Sequence, residues 1–149
     1  MEFSVKEAQA YARDGRIEEW IHCYLMTGNW QNAGLSSGLK KQTRYWAGPF
    51  EIALTDLSRC CGPEEQMEHR VDLSLWKIKT TELAAGIHHP EELPPCIVQY
   101  LPHALSIRDG NHRHEALRLK GFPTCWVLIC YDSEQDRTTH GAQLLGAGI

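Results

Sequence analysis

The sequence predicts an α+β fold: a small mixed sheet flanked by helices, with a helical extension at the N-terminus. Three observations carry that expectation. Two helix-spaced amphipathic segments open the chain, and short strand-like runs recur after residue 48. One of those runs, 105–108, ends in a glycine turn that leads directly into a helix. The 149 residues suffice for one domain with a real core, and 42% hydrophobic against 23% charged content is ordinary for a globular protein. The formal net charge of −4 argues against a protein held to DNA by general electrostatic attraction, though not against a local basic site.

The elements follow in order. Ser4 and Glu7 form a capping box, which predicts a helix over 4–13 that Asp14-Gly15 breaks. Ile17, Trp20, Ile21, Tyr24 and Leu25 recur at helical spacing and predict a second helix over 16–26. Two short helices need another surface to pack on. Residues 28–49 are rich in Gly, Asn, Ser and Gln and then turn basic, which predicts a long loop with one helical turn near 39–45. Lys40, Lys41 and Arg44, beside Tyr45 and Trp46, are candidate contacts for a substrate or a nucleic-acid strand. The plainer alternative is a solvated loop pinned to the core by Trp30 and Trp46.

Residues 50–54 alternate as a short strand. Pro63 suits the first position of a helical turn, where the dipole favours Glu64, Glu65 and Glu68. The functional alternative makes one of these carboxylates a general base or metal ligand. Asp72 caps a helix over 73–86, with Leu73, Trp76, Leu83 and Ile87 as its apolar stripe and Gly86 at its end. His88 and His89 cannot both face one site from a regular element, and no further ligand stands at zinc-finger spacing, so no metal site is expected there, and no protein metal ligand is assigned. Runs 96–100 and 105–108 predict an antiparallel hairpin. Gly121 and Pro123 stop the helix over 110–120, and the apolar run 124–130 predicts a central buried strand. Residues 133–149 are expected to be a peripheral segment or tail. The six cysteines form no C-x-x-C pair, no apolar run could span a membrane, and residues 1–16 hold no signal peptide. A reduced, cytoplasmic protein without a membrane partner is the expectation.

The chemistry concentrates at Asp109-Gly-Asn-His-Arg-His-Glu115. Gly110 permits a sharp turn, and Asn111 or Asp109 can cap the helix that follows. The free N–H groups at such a helix start favour an anion, most naturally a phosphate. Arg113 can grip two phosphate oxygens, and His112 can donate to phosphate or act as acid or base near neutral pH. His114 shares the same turn and is more readily structural than catalytic. The plainer alternative is that Asp-Gly-Asn serves capping alone and Arg113 and Glu115 are ordinary surface charges.

Asp109-Gly-Asn-His-Arg113, then Glu115-Ala116 and Leu119-Lys-Gly121, resembles the ParB/sulfiredoxin superfamily. The resemblance spans about residues 48–132 and implies that fold, with 1–47 as a helical extension and basic loop and 133–149 as a C-terminal tail. Chromosome-partitioning ParB proteins carry G-E-R-R-x-x-A; Gly110, Arg113 and Ala116 match, while Asn111 and His112 depart. Sulfiredoxins carry G-C-H-R, and Asn111 stands at the essential cysteine, so that chemistry is not implied. The free serine kinase branch carries D-G-H-H-R, which departs only at Asn111, and a catalytic Glu-Glu pair that Glu64-Glu65 resembles. The resemblance implies a nucleotide phosphate site at Asp109, Gly110, Asn111, His112, Arg113 and His114, with Glu64 or Glu65 and His112 as catalytic groups. It implies ATP or ADP, Mg²⁺ arriving with the nucleotide, and a small hydroxyl compound as acceptor, and leaves a homodimer open. Two alternatives stand beside this phosphotransferase or phosphohydrolase: a ParB-like nuclease or nucleic-acid binder, and a nucleotide-sensing module without catalysis.

Overall fold

The computed structural model describes residues 1–146. Helix α1 (Val5–Arg13) starts where the capping box places it: Ser4 Oγ accepts the Glu7 N–H at 3.2 Å. The Glu7 carboxylate receives the N–H groups of Glu2 and Phe3 and the indole N–H of Trp20, the last at 2.8 Å. That indole bond ties α1 to α2 (Ile17–Met26), whose buried Trp20, Ile21, Tyr24 and Leu25 form the expected stripe.

The predicted long loop is largely structured. After a 3₁₀ turn at Gly28–Trp30, Asn32 caps a helix α3 (Ala33–Leu39) by accepting the Leu35 N–H at 3.1 Å. Gly34 and Gly38 hide this helix from a propensity reading; burial of Ser36 and Leu39 stabilises it instead. Strand β1 (Tyr45–Ala53) begins at Tyr45, earlier than expected. Gly48-Pro49 looks like a strand breaker, yet the strand passes through it with a register shift between Ala47 and Phe50. An edge strand tolerates such an irregularity because one side needs no ladder.

Short strands β2 (Ser58–Arg59), β3 (Cys61–Gly62) and β4 (His69–Arg70) follow. The expected helical turn after Pro63 is a tight reversal, with the Met67 N–H donating to Glu64 O at 3.2 Å. Parallel pairing of β3 with β4 clamps both ends of this segment and leaves no room for a helix. Asp72 caps α4 (Leu73–Ala85) through the Leu75 N–H. Its buried residues are Trp76, Thr80 and Ala84, and Leu73 is exposed, so the stripe runs through Thr80 rather than Leu73. Thr80 can sit inside because its hydroxyl donates to Trp76 O at 2.8 Å.

Strands β5 (Cys96–Leu101) and β6 (Ala104–Asp109) form the predicted hairpin. Helix α5 (Asn111–Lys120), strand β7 (Thr124–Tyr131) and helix α6 (Glu134–Gly146) complete the chain. The tail expectation gives way to α6, which Ser133 caps through the Asp136 N–H and which docks by His140 Nδ1, 2.6 Å from the Tyr131 hydroxyl. Residues 147–149 of that expected tail lie outside the described residues.

The main sheet has the order β1-β7-β5-β6-β2, with β5 central and β7 in the interior beside it, paired parallel to β5 and antiparallel to β1. Along β7, Cys125, Val127, Ile129 and Tyr131 enter one core, while Leu128 and Cys130 enter the other. Both faces of the sheet are therefore covered, which explains the near-continuous apolar run. The first core takes in Ala84, Ala116, Leu117 and Leu144 from α4, α5 and α6. The second packs Ala8, Trp20, Ile21, Tyr24 and Leu25 against Trp46, Ile97 and Leu128. The expected boundary at residue 47 falls inside β1, and residues 1–47 supply the cover of one sheet face. The fold is mixed α and β, and among the described residues no helix is long and apolar enough to cross a membrane.

Candidate functional site

Strand β6 delivers Asp109 to a turn at Gly110, whose φ is +110°. A side chain there would be strained by that angle and would run into the Cys96 side chain, so only glycine fits. The first backbone bond into α5 runs from the His114 N–H to Gly110 O at 2.9 Å. The N–H groups ahead of it have no acceptor within the helix and carry the positive end of its dipole. A cavity of about 410 Å³ opens at this helix start, lined by Gly110, Asn111 and His112, by Arg108 and Asp109 of β6, and by Cys60, Cys61 and His69. Asn32 and Leu35, at the start of α3, close its other side.

Neither Asp109 nor Asn111 caps the helix. The Asp109 carboxylate accepts the Tyr24 hydroxyl and one Arg113 Nη2–H, each at 2.7 Å. Asn111 Oδ1 accepts the N–H groups of Cys60 and Cys61 at 2.9 and 3.2 Å, and Nδ2 donates to Ile107 O. Its amide thus latches the 60–61 segment onto the cavity wall.

Arg113 is not at the rim, where a phosphate grip needs it, but is 2% exposed inside the protein. Its guanidinium donates to Pro94 O at 2.5 Å, Tyr24 Oη at 2.8 Å and Asp109, and lies over the Trp30 ring. Burial works against its charge, and Tyr24 and Asp109 outweigh that, so its pKa is raised. The four-residue spacing from Asp109 across the glycine turn directs the side chain inward, where the fork is fully committed.

His112 does line the cavity, its ring 4.5 Å from that of Trp76. Burial, then Lys79, Arg113 and Arg59, push its pKa below the usual value, so the ring is neutral at pH 7. His114 faces elsewhere: its Nε2–H donates to Leu54 O at 2.9 Å, and its buried Nδ1 has no partner. Burial lowers its pKa as well, and its position is structural.

The Glu64-Glu65 pair does not reach this cavity. Glu64 is held by Arg59 at 2.5 Å, which keeps its carboxyl below the usual range, and Arg59 lies over the Trp76 ring. Glu65 is exposed. On this segment Glu68 lies beside the cavity residues Cys60 and His69 and is paired through both oxygens with Arg108 at 3.0 Å. Lys40 and Lys41 are exposed, whereas Arg44 binds Asp132 at 2.7 Å and Leu39 O. Trp46 is buried in the α1–α2 core and offers no stacking face. Lys41 and Arg44 line a groove of about 430 Å³ that shares Leu35 and Arg108 with the cavity.

No protein-family model matches this chain, and no curated protein matches it either. The site is defined by its own geometry. Cavity residues beyond the expected set are Asn32, Leu35, Cys60, Cys61, His69 and Arg108. Arg108 alternates with core-facing Ile107 along β6, a period-2 signal that puts it on the open side. Nothing local in the sequence brings Cys60 and His69 together; that depends on the β3–β4 pairing. Cys60, Glu68 and His69 place their ligating atoms within 4.8 Å of one another at the cavity wall.

Proposed function

We propose that the α5 cavity binds a nucleotide, ATP or ADP, by its phosphates and that the chain transfers or hydrolyses the terminal phosphoryl group. The acceptor is a small hydroxyl compound or water. The observation that carries this reading is the convergence of the α5 N-terminus, Arg108 and the neutral His112 in one cavity. The N–H groups at the start of α5 take phosphate oxygens, and Arg108, whose pairing with Glu68 leaves an Nη2–H uncommitted, adds a charge-assisted donor. His112 accepts the proton of the attacking hydroxyl, a role open to an imidazole that is unprotonated at pH 7. The adjoining groove, with exposed Lys41 and the Asp132-paired Arg44 on its wall, gives the rest of the ligand room to extend. This is the chemistry that the likeness to the free serine kinase branch implies, with the catalytic group moved from the Glu64-Glu65 pair to His112. Mg²⁺ would be held by the nucleotide's own oxygens, because Asp109, among the described residues the one carboxylate lining the cavity, is committed to Tyr24 and Arg113. A reduced, cytoplasmic setting fits this substrate class.

Calorimetric titration with ATP and ADP, with Mg²⁺ present, followed by a turnover assay with serine, tests the reading. Arg108→Ala should weaken binding by about 1.5–3 kcal/mol, roughly tenfold to a hundredfold. His112→Ala should abolish turnover and leave binding in place. Absence of binding by the wild-type chain at millimolar nucleotide would sink the proposal. Binding without turnover would mark the nucleotide-sensing module instead. The basic groove is the one feature that favours a nucleic-acid ligand, and a gel shift that fades steeply with salt would reveal it.

A further inference from the structure

We propose that Cys60, Glu68 and His69 form a three-ligand site for a borderline-soft divalent cation of the zinc class, with its fourth position open to the α5 cavity. The donor set is a sulfur, an imidazole nitrogen and a carboxylate oxygen, the combination that selects zinc over Mg²⁺ or Ca²⁺. The three ligating atoms lie within 4.8 Å of one another, and Glu68 Oε1 stands 3.6 Å from His69 Nε2. A tetrahedral zinc with ligands at roughly 2.0–2.3 Å needs them about 3.3–3.7 Å apart, which small rotations of the two exposed side chains supply.

The backbone holds the arrangement before any metal arrives. The His69 N–H donates to Cys60 O at 2.9 Å, so pairing at the β3–β4 end sets the histidine beside the cysteine. The Cys60 N–H is fixed by Asn111 Oδ1, and Asn111 Nδ2 stands 3.7 Å from the Cys60 sulfur. Arg108 braces Glu68 through both oxygens. These are the outer contacts that orient metal ligands and tune their basicity. Cys60 gives up its thiol proton on ligation, and the carboxylate retains lone pairs beside its arginine contact. The plainer alternative is a surface ion pair, Glu68 with Arg108 and His69, next to an inert buried thiol. It assigns no role to the Cys60 sulfur at the cavity wall beside both groups. Because Cys60 and His69 both line the cavity, an open fourth position faces the space that a phosphate oxygen or water would occupy. The site does not depend on the nucleotide reading.

The test is a Co²⁺ titration of the full chain, reduced, metal-stripped and free of nucleotide. One equivalent should produce a near-ultraviolet thiolate-to-cobalt charge-transfer band with visible bands of tetrahedral intensity, and Zn²⁺ should erase both. Cys60→Ala should abolish the thiolate band, and Cys61→Ala should keep it. His69→Ala and Glu68→Gln should each weaken Co²⁺ binding by about tenfold or more, and Arg108→Ala by about 10- to 100-fold. His69 is 63% exposed, so its removal leaves the fold intact even if Cys60→Ala does not fold. No thiolate band at millimolar Co²⁺, or unchanged affinity in His69→Ala, overturns the proposal. With nucleotide absent throughout, a failure of the phosphate reading leaves this result standing.

Discussion

Arg113 shows how a motif residue changes meaning between sequence and fold. Its distance of four from Asp109 is visible in the sequence; its partner Tyr24 is 89 positions away, and only the packing of α2 on the sheet brings the two together. The Asp109–Arg113–Tyr24 cluster is an internal clamp that fixes the turn from β6 into α5, beside the cavity that Asp109, Gly110 and Asn111 line. Arg113→Met should therefore destabilise the protein by about 3–5 kcal/mol, because it removes the buried guanidinium and leaves the half-buried Asp109 carboxylate and the Tyr24 hydroxyl without that partner. Urea unfolding measures this, and a loss of nucleotide affinity with unchanged stability would contradict it. Gly110→Ala should cost about 1–3 kcal/mol for the positive φ alone, and more for the clash with Cys96. His112, one step from Arg113, lines the cavity because its side chain leaves the helix in a different direction.

The N-terminal helices are as integral to the sheet as α5 is. Trp20 is fully buried, stacked on Tyr24 at 5.3 Å and bonded to Glu7. Trp20→Ala should cost about 3–5 kcal/mol by urea unfolding, as expected when a core aromatic is removed and the cavity it leaves cannot collapse. A cost below about 1 kcal/mol would mean that α1 and α2 are an appendage. The elements legible in the sequence were those whose burial follows a simple period: α2, the β5–β6 hairpin, and the apolar run of β7. The start of β1 was not legible, because Gly48-Pro49 is a local breaker that an edge strand absorbs. Helix α3 was missed because two glycines weaken its propensity while Ser36 and Leu39 are buried by contacts distant in sequence. The same limit applied at the site. Arg108 could be inferred from strand alternation, but the meeting of Cys60, Glu68 and His69 depends on the β3–β4 pairing across a reversal that looked like a helix start.

Four histidines give the whole molecule a pH dependence that no single element shows. Burial lowers the pKa of His22, His112, His114 and His140 below the usual 6.5, with Lys40 assisting at His22 and Lys79 at His112. Near and below pH 6.5 the unfolded chain binds protons at these positions and the folded chain does not. Stability therefore rises with pH through that window and levels off above it. On acidification the loss begins as pH falls through the unfolded value and continues down to the folded pKa values. Glu64 and Glu68, whose pKa values are lowered chiefly by Arg59 and Arg108, add a second loss beginning below the usual carboxylate value of 4.5. Both carboxylates are largely solvated, so the histidines dominate the first phase. The urea midpoint should be the same at pH 8 and pH 7.5 and should fall progressively from pH 6.5 to pH 5. His114→Gln should flatten part of that fall, since its amide can still donate to Leu54 O and carries no titrating group. A midpoint constant down to pH 5 would mean that these imidazoles protonate in the folded state without penalty. His112 would then be no more acidic than a histidine in water, and the lowered pKa assigned to it in the cavity would fail with it.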